Sequence, residues 1–252
     1  MHEHIDWTKL TDDPVNEEVR NKVIQRLLSI RKPLAKGYER FLAEKVTGKT
    51  ALDIGVCEHT MERMLSPKWK HNAIKDNARY SMGVDIIPGL VQELKKRGIE
   101  AEVCDATSET FLGKKFEVVH AGDIIEHVDS PVGLLKFCAR HLEDEGRLIV
   151  RTPNGFCHDY VHQQKVIGTD KSNLEHVSYI CPTHALELGR RAGLLLTDYY
   201  VQYPSGFTAK GILNALRFLS RGKLRHALAE LFSKPESYST IYVYEFTLNR
   251  GL

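Results

Sequence analysis

Apolar runs that stop at an acidic or glycine-bearing turn recur through the middle of this chain. Ala51-Leu52-Asp53-Ile54-Gly55 is the first and Gly83-Val84-Asp85-Ile86 the second. Ala101-Glu102-Val103-Cys104-Asp105-Ala106 follows, then Phe116-Glu117-Val118-Val119-His120-Ala121-Gly122-Asp123, then Gly146-Arg147-Leu148-Ile149-Val150-Arg151-Thr152-Pro153-Asn154. Each predicts a strand. Leu194 to Val201 predicts a sixth, and the alternating Ser239 to Phe246 a seventh, proximal to the sheet edge. Between them, Val91 to Arg97, Gly133 to Leu142 and Thr183 to Ala192 read as crossover helices, the last ending at Gly193 where a helix terminus favours glycine. Strands alternating with helices in this way predict right-handed βαβ winding and an α/β fold.

Upstream of the first strand, Val19, Val23, Ile24, Leu27, Leu28 and Ile30 fall at near-helical spacing, predicting a helix from Asn16 to Arg31. A second helix is predicted over Leu34 to Val46. Residues 1–46 thus form an N-terminal helical segment, either a lid over the binding mouth or a packing layer on the sheet edge, and residues 47–252 the main domain. After a short helix from Met61 to Leu65, the stretch from Ser66 to Tyr80 reads as a polar, basic surface loop. Its Lys68 and Lys70 are expected in solvent and Trp69 on the sheet edge, with substrate contact as the alternative.

The ends of the strands carry the chemistry. In an open α/β sheet, ligands bind outside the carboxyl ends of the strands at the point where strand order reverses. Asp53 and Asp85 are expected at that rim. An acid closing the second strand commonly grips ribose hydroxyls, which predicts a nucleoside-containing cofactor. A dinucleotide site needs G-x-G-x-x-G so that backbone can approach a pyrophosphate, and here those positions read Gly55, Cys57 and Thr60. S-adenosylmethionine has no phosphate, so the loop points to a methyltransferase in preference to a dehydrogenase.

The ordered series resembles the class I S-adenosylmethionine-dependent methyltransferases. It is most similar to the branch with Glu-His-Val after strand four (here Glu126-His127-Val128) and a Thr-Pro-Asn segment at strand five (here Thr152-Pro153-Asn154). The resemblance covers residues 48–200. It implies a doubly wound, seven-stranded, mostly parallel sheet whose last strand is antiparallel, preceded here by the N-terminal helices and interrupted by a helical cap insertion at 206–235 that is the least typical part of the chain. It also implies a cofactor site of Asp53, Gly55, Cys57, His59, Asp85, Ile86, Asp105, Ala106, Gly122 and Asp123. Asp105 suits an adenine amino group, and Cys57 and His59 the methionine tail. The family's D-x-G-x-G-x-G reads Asp53-x-Gly55-x-Cys57-x-His59 here.

Composition narrows this further. A chain of 252 residues, 42% hydrophobic, can bury one substantial core with appendages. A net charge of +2 does not argue for nucleic acid. No stretch approaches the ~20 apolar residues of a membrane span. The polar start Met1-His2-Glu3-His4-Ile5-Asp6 is unlike a signal peptide. Five cysteines without a C-x-x-C pair are expected as reduced thiols, which gives a cytoplasmic localisation. The insertion 206–235 mixes Ile212, Leu213, Leu216, Phe218 and Leu219 with Lys210, Arg217, Arg221, Lys223, Arg225 and Lys234. It is expected as a cap, with peripheral membrane contact, a substrate cover or a dimer face as alternatives.

If the acceptor is a hydroxyl, methyl transfer needs a general base or a metal to take or weaken its proton. Asp123-x-x-Glu126-His127 sets two acids and an imidazole just past strand four. In the ubiquinone-pathway O-methyltransferases and small-RNA 2′-O-methyltransferases that the chain resembles, such residues hold a divalent metal. Asp123, Glu126, His127 and His176 are therefore candidate ligands of Mg, Mn or Zn. Without metal, His127 and His176 are the candidate catalytic bases. His158 and His162, spaced i, i+4, read as loop or lid residues. The expected function is S-adenosylmethionine-dependent O-methylation of a small molecule or sugar. An RNA 2′-O-methyltransferase and a non-catalytic cofactor-binding protein are the alternatives.

Overall fold

The computed structural model describes residues 5–202, Ser237 and residues 239–250. The predicted insertion at 206–235 lies outside the described residues. Eight strands form one sheet: β1 (Arg31–Pro33), β2 (Thr50–Ile54), β3 (Tyr80–Asp85), β4 (Ala101–Val103), β5 (Phe116–Gly122), β6 (Leu142–Pro153), β7 (Leu194–Val201) and β8 (Ile241–Leu248). Their order is β1-β7-β8-β6-β5-β2-β3-β4. All neighbours run parallel except β8, which is antiparallel to both β6 and β7. The sequence expectation of seven strands is short by one. Strand β1 is a polar, three-residue edge piece paired with β7, too brief to write an apolar run.

Helices cover both faces. α1 (Glu17–Ile30) is capped by Asn16, whose side chain accepts from the Val19 N–H, the local reason the helix begins there. Its Leu27 and Ile30 join the larger core, which includes Leu52, Val119, Phe137, Leu148 and Phe246. That places α1 against α8 (Pro182–Arg191) and β7. α2 (Tyr38–Val46) buries Tyr38, Leu42 and Val46 on the opposite face. Buried Glu245 on β8 fixes α2 there: it accepts from Lys45 at 2.7 Å, Arg147 at 2.6 Å and Tyr200 at 2.9 Å.

The crossovers are α3 (Met61–Met64), α4 (His71–Lys75), α5 (Pro88–Lys96), α6 (Pro131–Arg140) and α7 (His158–Ile167). The expected surface loop at Ser66 to Tyr80 is corrected: it holds α4, and both Trp69 and His71 are buried. Trp69 donates its indole N–H to the Val56 carbonyl at 2.9 Å, and this bond satisfies the one polar atom of the ring. Lys70, expected in solvent, instead turns inward to Asp123 at 2.5 Å. α7 buries no residue, so no apolar face announced it in the sequence. Among the described residues no helix is long and apolar enough to cross a membrane.

Strand order reverses between β2 and β5, and the carboxyl ends of these strands open the crevice where such sheets bind ligands. Gly55 makes the turn out of β2 with φ of +72°, in the region that favours glycine. Gly83 on β3 leaves room for the returning loop: a Cβ there would stand 2.7 Å from the Val56 side chain.

Candidate functional site

A cleft of about 340 Å³ lies over the ends of β2, β3, β4 and β5. Asp85, Ile86, Asp105, Ala106 and Gly55, all expected at a cofactor site, line it. Asp85 Oδ2 accepts from the Cys57 N–H at 2.9 Å and Oδ1 from the Ile87 N–H at 3.1 Å. Each oxygen keeps a lone pair, so the carboxylate is held rigidly yet can still accept from a ligand. Asp105 is fixed by the Thr107 N–H and hydroxyl at 2.8 and 2.7 Å. Those bonds hold its carboxyl below the ordinary range, so it presents a stable anion. Burial, reinforced by the charge of Asp85, pushes the Cys57 thiol up to about 12. Cys57 meets Asp85 through its backbone, and His59 is exposed and lines no part of the cleft.

Asp53 stands elsewhere. It is buried, and each carboxylate oxygen is taken by an imidazole: Oδ2 by His71 Nδ1 at 2.8 Å and Oδ1 by His120 Nδ1 at 2.6 Å. His120 is its parallel neighbour in register across β2 and β5. Burial alone would raise the Asp53 carboxyl, but the two imidazoles outweigh it and hold it well below its ordinary value. His120 Nε2 in turn meets the Tyr38 hydroxyl at 2.5 Å. The residues Tyr38, His71 and His120 were missed in the sequence. A histidine and an aspartate inside two otherwise apolar parallel strands were the available signal, since buried polar groups must find partners.

Past β5 the chain bends sharply. Asp123 has φ of +55°, left-handed for a non-glycine residue, a conformation that costs energy and clusters at functional sites. Its Oδ2 is bound by both Lys70 and Arg151, and the Arg151 guanidinium lies 5.1 Å from the Tyr38 ring centre. Asp123 therefore does not join the other three candidate ligands.

Those three do converge. One ligand atom each from Glu126, His127 and His176 lies within 4.8 Å of the others. Glu126 is fully buried, with Oε2 accepting from the Thr152 hydroxyl at 2.9 Å. Its Oε1 has no hydrogen-bond partner and stands 4.0 Å from His176 Nε2. Burial pushes the Glu126 carboxyl up to about 7, against the lowering pull of hydrogen bonds and Lys70. Burial likewise lowers both imidazoles, and for His176 the charge of His127 adds to the effect. The rings meet edge to face at 4.8 Å. Imidazoles whose protonation burial disfavours, beside a carboxyl whose ionisation burial disfavours, can accept a proton or a cation. His127 also borders the cleft, which joins this cluster to the cofactor side. His158 and His162 stack on α7 with centroids 6.0 Å apart, outside the cluster.

A family model described as a methyltransferase domain matches residues 26–198. Among curated proteins, a ubiquinone biosynthesis O-methyltransferase of Aeromonas salmonicida is 26% identical over 161 residues, covering 60% of this chain and 65% of its own. A ubiquinone biosynthesis O-methyltransferase of Coxiella burnetii is 23% identical over 174 residues, covering 63% and 70%. The chain thus spans about two thirds of the length of these relatives. Among solved structures, a SAM-dependent methyltransferase from Archaeoglobus fulgidus superposes with a TM-score of 0.56 at 16% identity, covering 90% of this chain and 93% of that one.

Proposed function

We infer the activity from kinship and site together: the chain belongs to the methyltransferase-domain family, and its reaction is transfer of a methyl group from S-adenosylmethionine to an oxygen of a small molecule or sugar. The observation that carries the cofactor is the cleft at the switch point, bordered by two held carboxylates at the ends of β3 and β4. In this reading Asp85 takes the ribose hydroxyls, Asp105 the adenine amino group, and Gly55 lets the chain pass close beneath. The oxygen acceptor rests on the curated relatives, both named for O-methylation.

The acceptor lies beside Glu126, His127 and His176, on the side of the cleft that His127 borders. In-line displacement at a sulfonium methyl needs the nucleophile held at near-attack distance, which is worth several kcal/mol. These residues would also handle its proton. An orphaned, buried carboxylate oxygen facing two neutral imidazoles has the donor set of a divalent-cation site. A Mg, Mn or Zn ion held by Glu126, His127 and His176 would supply Lewis acidity to the acceptor oxygen. A metal-free reading has its own support: Lys70 already acts on Glu126, and the lowered imidazoles suit a general base. His127 or His176 then accepts the hydroxyl proton.

Calorimetric titration with S-adenosylmethionine, followed by an acceptor screen reading S-adenosylhomocysteine, tests the reading. Binding in the micromolar range and product with a hydroxylated acceptor are expected. An absence of cofactor binding by a folded protein overturns it. Turnover that survives excess chelator selects the imidazole base, and turnover that chelation abolishes selects the metal.

A further inference from the structure

Thr152-Pro153-Asn154 closes β6 beside the cluster of Glu126, His127 and His176, and its three residues together build one fixed hydroxyl. Pro153 confines the residue before it to extended backbone. Thr152 is therefore held as a strand residue, in register with Tyr242 of β8. Asn154 clamps the strand end: its N–H donates to the Thr240 carbonyl at 2.9 Å and its side-chain amide to the Ser239 carbonyl at 2.9 Å. The β-branch of Thr152 then restricts its first side-chain torsion, so the strand sets the direction of the hydroxyl.

That hydroxyl has one proton and donates it to Glu126 Oε2 at 2.9 Å. Thr152 and Glu126 are both 0% exposed, so no water competes for the bond. The terminal torsion of a glutamate is soft and roughly two-fold, so fixing one oxygen decides where the other points. Glu126 is held at its backbone as well: its carbonyl accepts from the Val177 N–H at 2.9 Å. Val177 follows His176, so the same contact seats the loop that carries the imidazole. With backbone and Oε2 both fixed, Oε1 stands without a hydrogen-bond partner, 4.0 Å from His176 Nε2. The charge of Lys70 also acts on Glu126, so a carboxyl released from Thr152 has a cation to turn toward.

We propose that Thr152 is a positioning residue for methyl transfer: its hydroxyl turns the Glu126 carboxyl so that Oε1 faces His176 and the acceptor. The assignment rests on the acceptor site inferred above. Thr152 acts through Glu126 and touches neither acceptor nor cofactor. Both forms of that site depend on it, because a carboxylate that holds a cation and one that orients an imidazole base each need Oε1 aimed. Misplacing a reacting group by about 1 Å can cost on the order of 10²-fold in rate. The cofactor carboxylates Asp85 and Asp105 are held by bonds of their own and do not feel the turn.

Two pairs of proteins isolate the hydroxyl: wild type against Thr152→Val, and Thr152→Ser against Thr152→Ala. Each is assayed for kcat and KM with the hydroxylated acceptor that wild type turns over, and titrated calorimetrically with S-adenosylhomocysteine. In Thr152→Val, kcat should fall by about 10- to 100-fold while affinity for S-adenosylhomocysteine changes by less than about twofold. Thr152→Ser should keep kcat within about fivefold of wild type, and Thr152→Ala should lose it as the valine variant does. Serine and alanine differ by the hydroxyl alone, so that pair carries the test if Thr152→Val does not fold. A valine variant with wild-type kcat overturns the assignment, as do equal losses in the serine and alanine variants. A fall in S-adenosylhomocysteine affinity as large as the fall in kcat also overturns it, because the damage is then general. In these three cases an active wild type leaves the O-methylation reading standing. Wild type that binds S-adenosylhomocysteine but methylates no hydroxyl acceptor overturns that reading and this assignment together.

Discussion

A single buried carboxyl concentrates the chemistry of this site. Glu126 has a pKa raised to about 7 from an ordinary 4.5, chiefly by burial. A raised acid stabilises the fold while protonated, fully so below the unfolded pKa, and the contribution is lost as pH rises through the folded one. Stability should therefore decline between about pH 4.5 and 7 for this group's share, and Glu126→Gln should flatten that decline. Thermal melts of both proteins across this window measure it, and identical pH profiles would show that the carboxyl ionises freely. Asp85 gives the complementary residue-scale test. Asp85→Ala removes a charged acceptor from the cleft and the cap on the Cys57 and Ile87 N–H groups. Cofactor affinity should weaken by ~1–3 kcal/mol. Unchanged affinity by calorimetry would place the pocket elsewhere.

At the scale of elements, packing against the sheet decides what a segment becomes. Glu245 is the clearest case: a fully buried carboxylate on β8 joined to α2, β6 and β7 by three partners. Burial pushes its carboxyl up, but Lys45, Tyr200 and Arg147 outweigh that and hold it below 4.5. A depressed acid stabilises above its unfolded pKa, and the contribution is lost as pH falls through the folded value, so this network weakens only under acid. Lys45 and Arg147 keep 27% and 44% of their side chains in solvent, so water can take over the charges that Glu245→Ala leaves behind, and the substitution should cost ~1–3 kcal/mol in denaturant melts. A loss below about 0.5 kcal/mol would mean that the network contributes no more than an exposed ion pair and does not anchor α2.

The same logic sorts what was legible in the sequence. The seven predicted strands are all present because their apolar runs face packed helices or neighbouring strands. β7 matches its predicted bounds at Leu194 and Val201, while β8 runs two residues past its predicted end. Polar β1, the five-residue α4 and α7 with no buried face carry no such pattern. Asp85 and Glu126 lie beside strand ends, so their place at the candidate site was legible from local motifs. Tyr38, Lys70, His71 and Arg151 were not, because distant segments bring them together.

At the scale of the whole molecule, the cleft draws on both halves of the sheet, β3 and β4 on one side of the switch point and β5 on the other. A ligand seated there binds the folded arrangement and not the unfolded chain, so it stabilises the molecule by mass action. S-adenosylhomocysteine at a hundred times its dissociation constant should contribute ~2.7 kcal/mol. For a chain of this size that raises the melting temperature by roughly 5–10 °C. A chelator should leave this shift intact, because Glu126 and His176 do not line the cleft and meet it only through His127. If metal serves the acceptor, chelation abolishes turnover while the thermal shift persists. If an imidazole is the base, turnover persists as well, and its pH profile rises with a midpoint below 6.5, because burial lowers both His127 and His176. A thermal shift that disappears with chelator would tie the cation to the cofactor and overturn the division of the site into a cofactor cleft and an acceptor cluster.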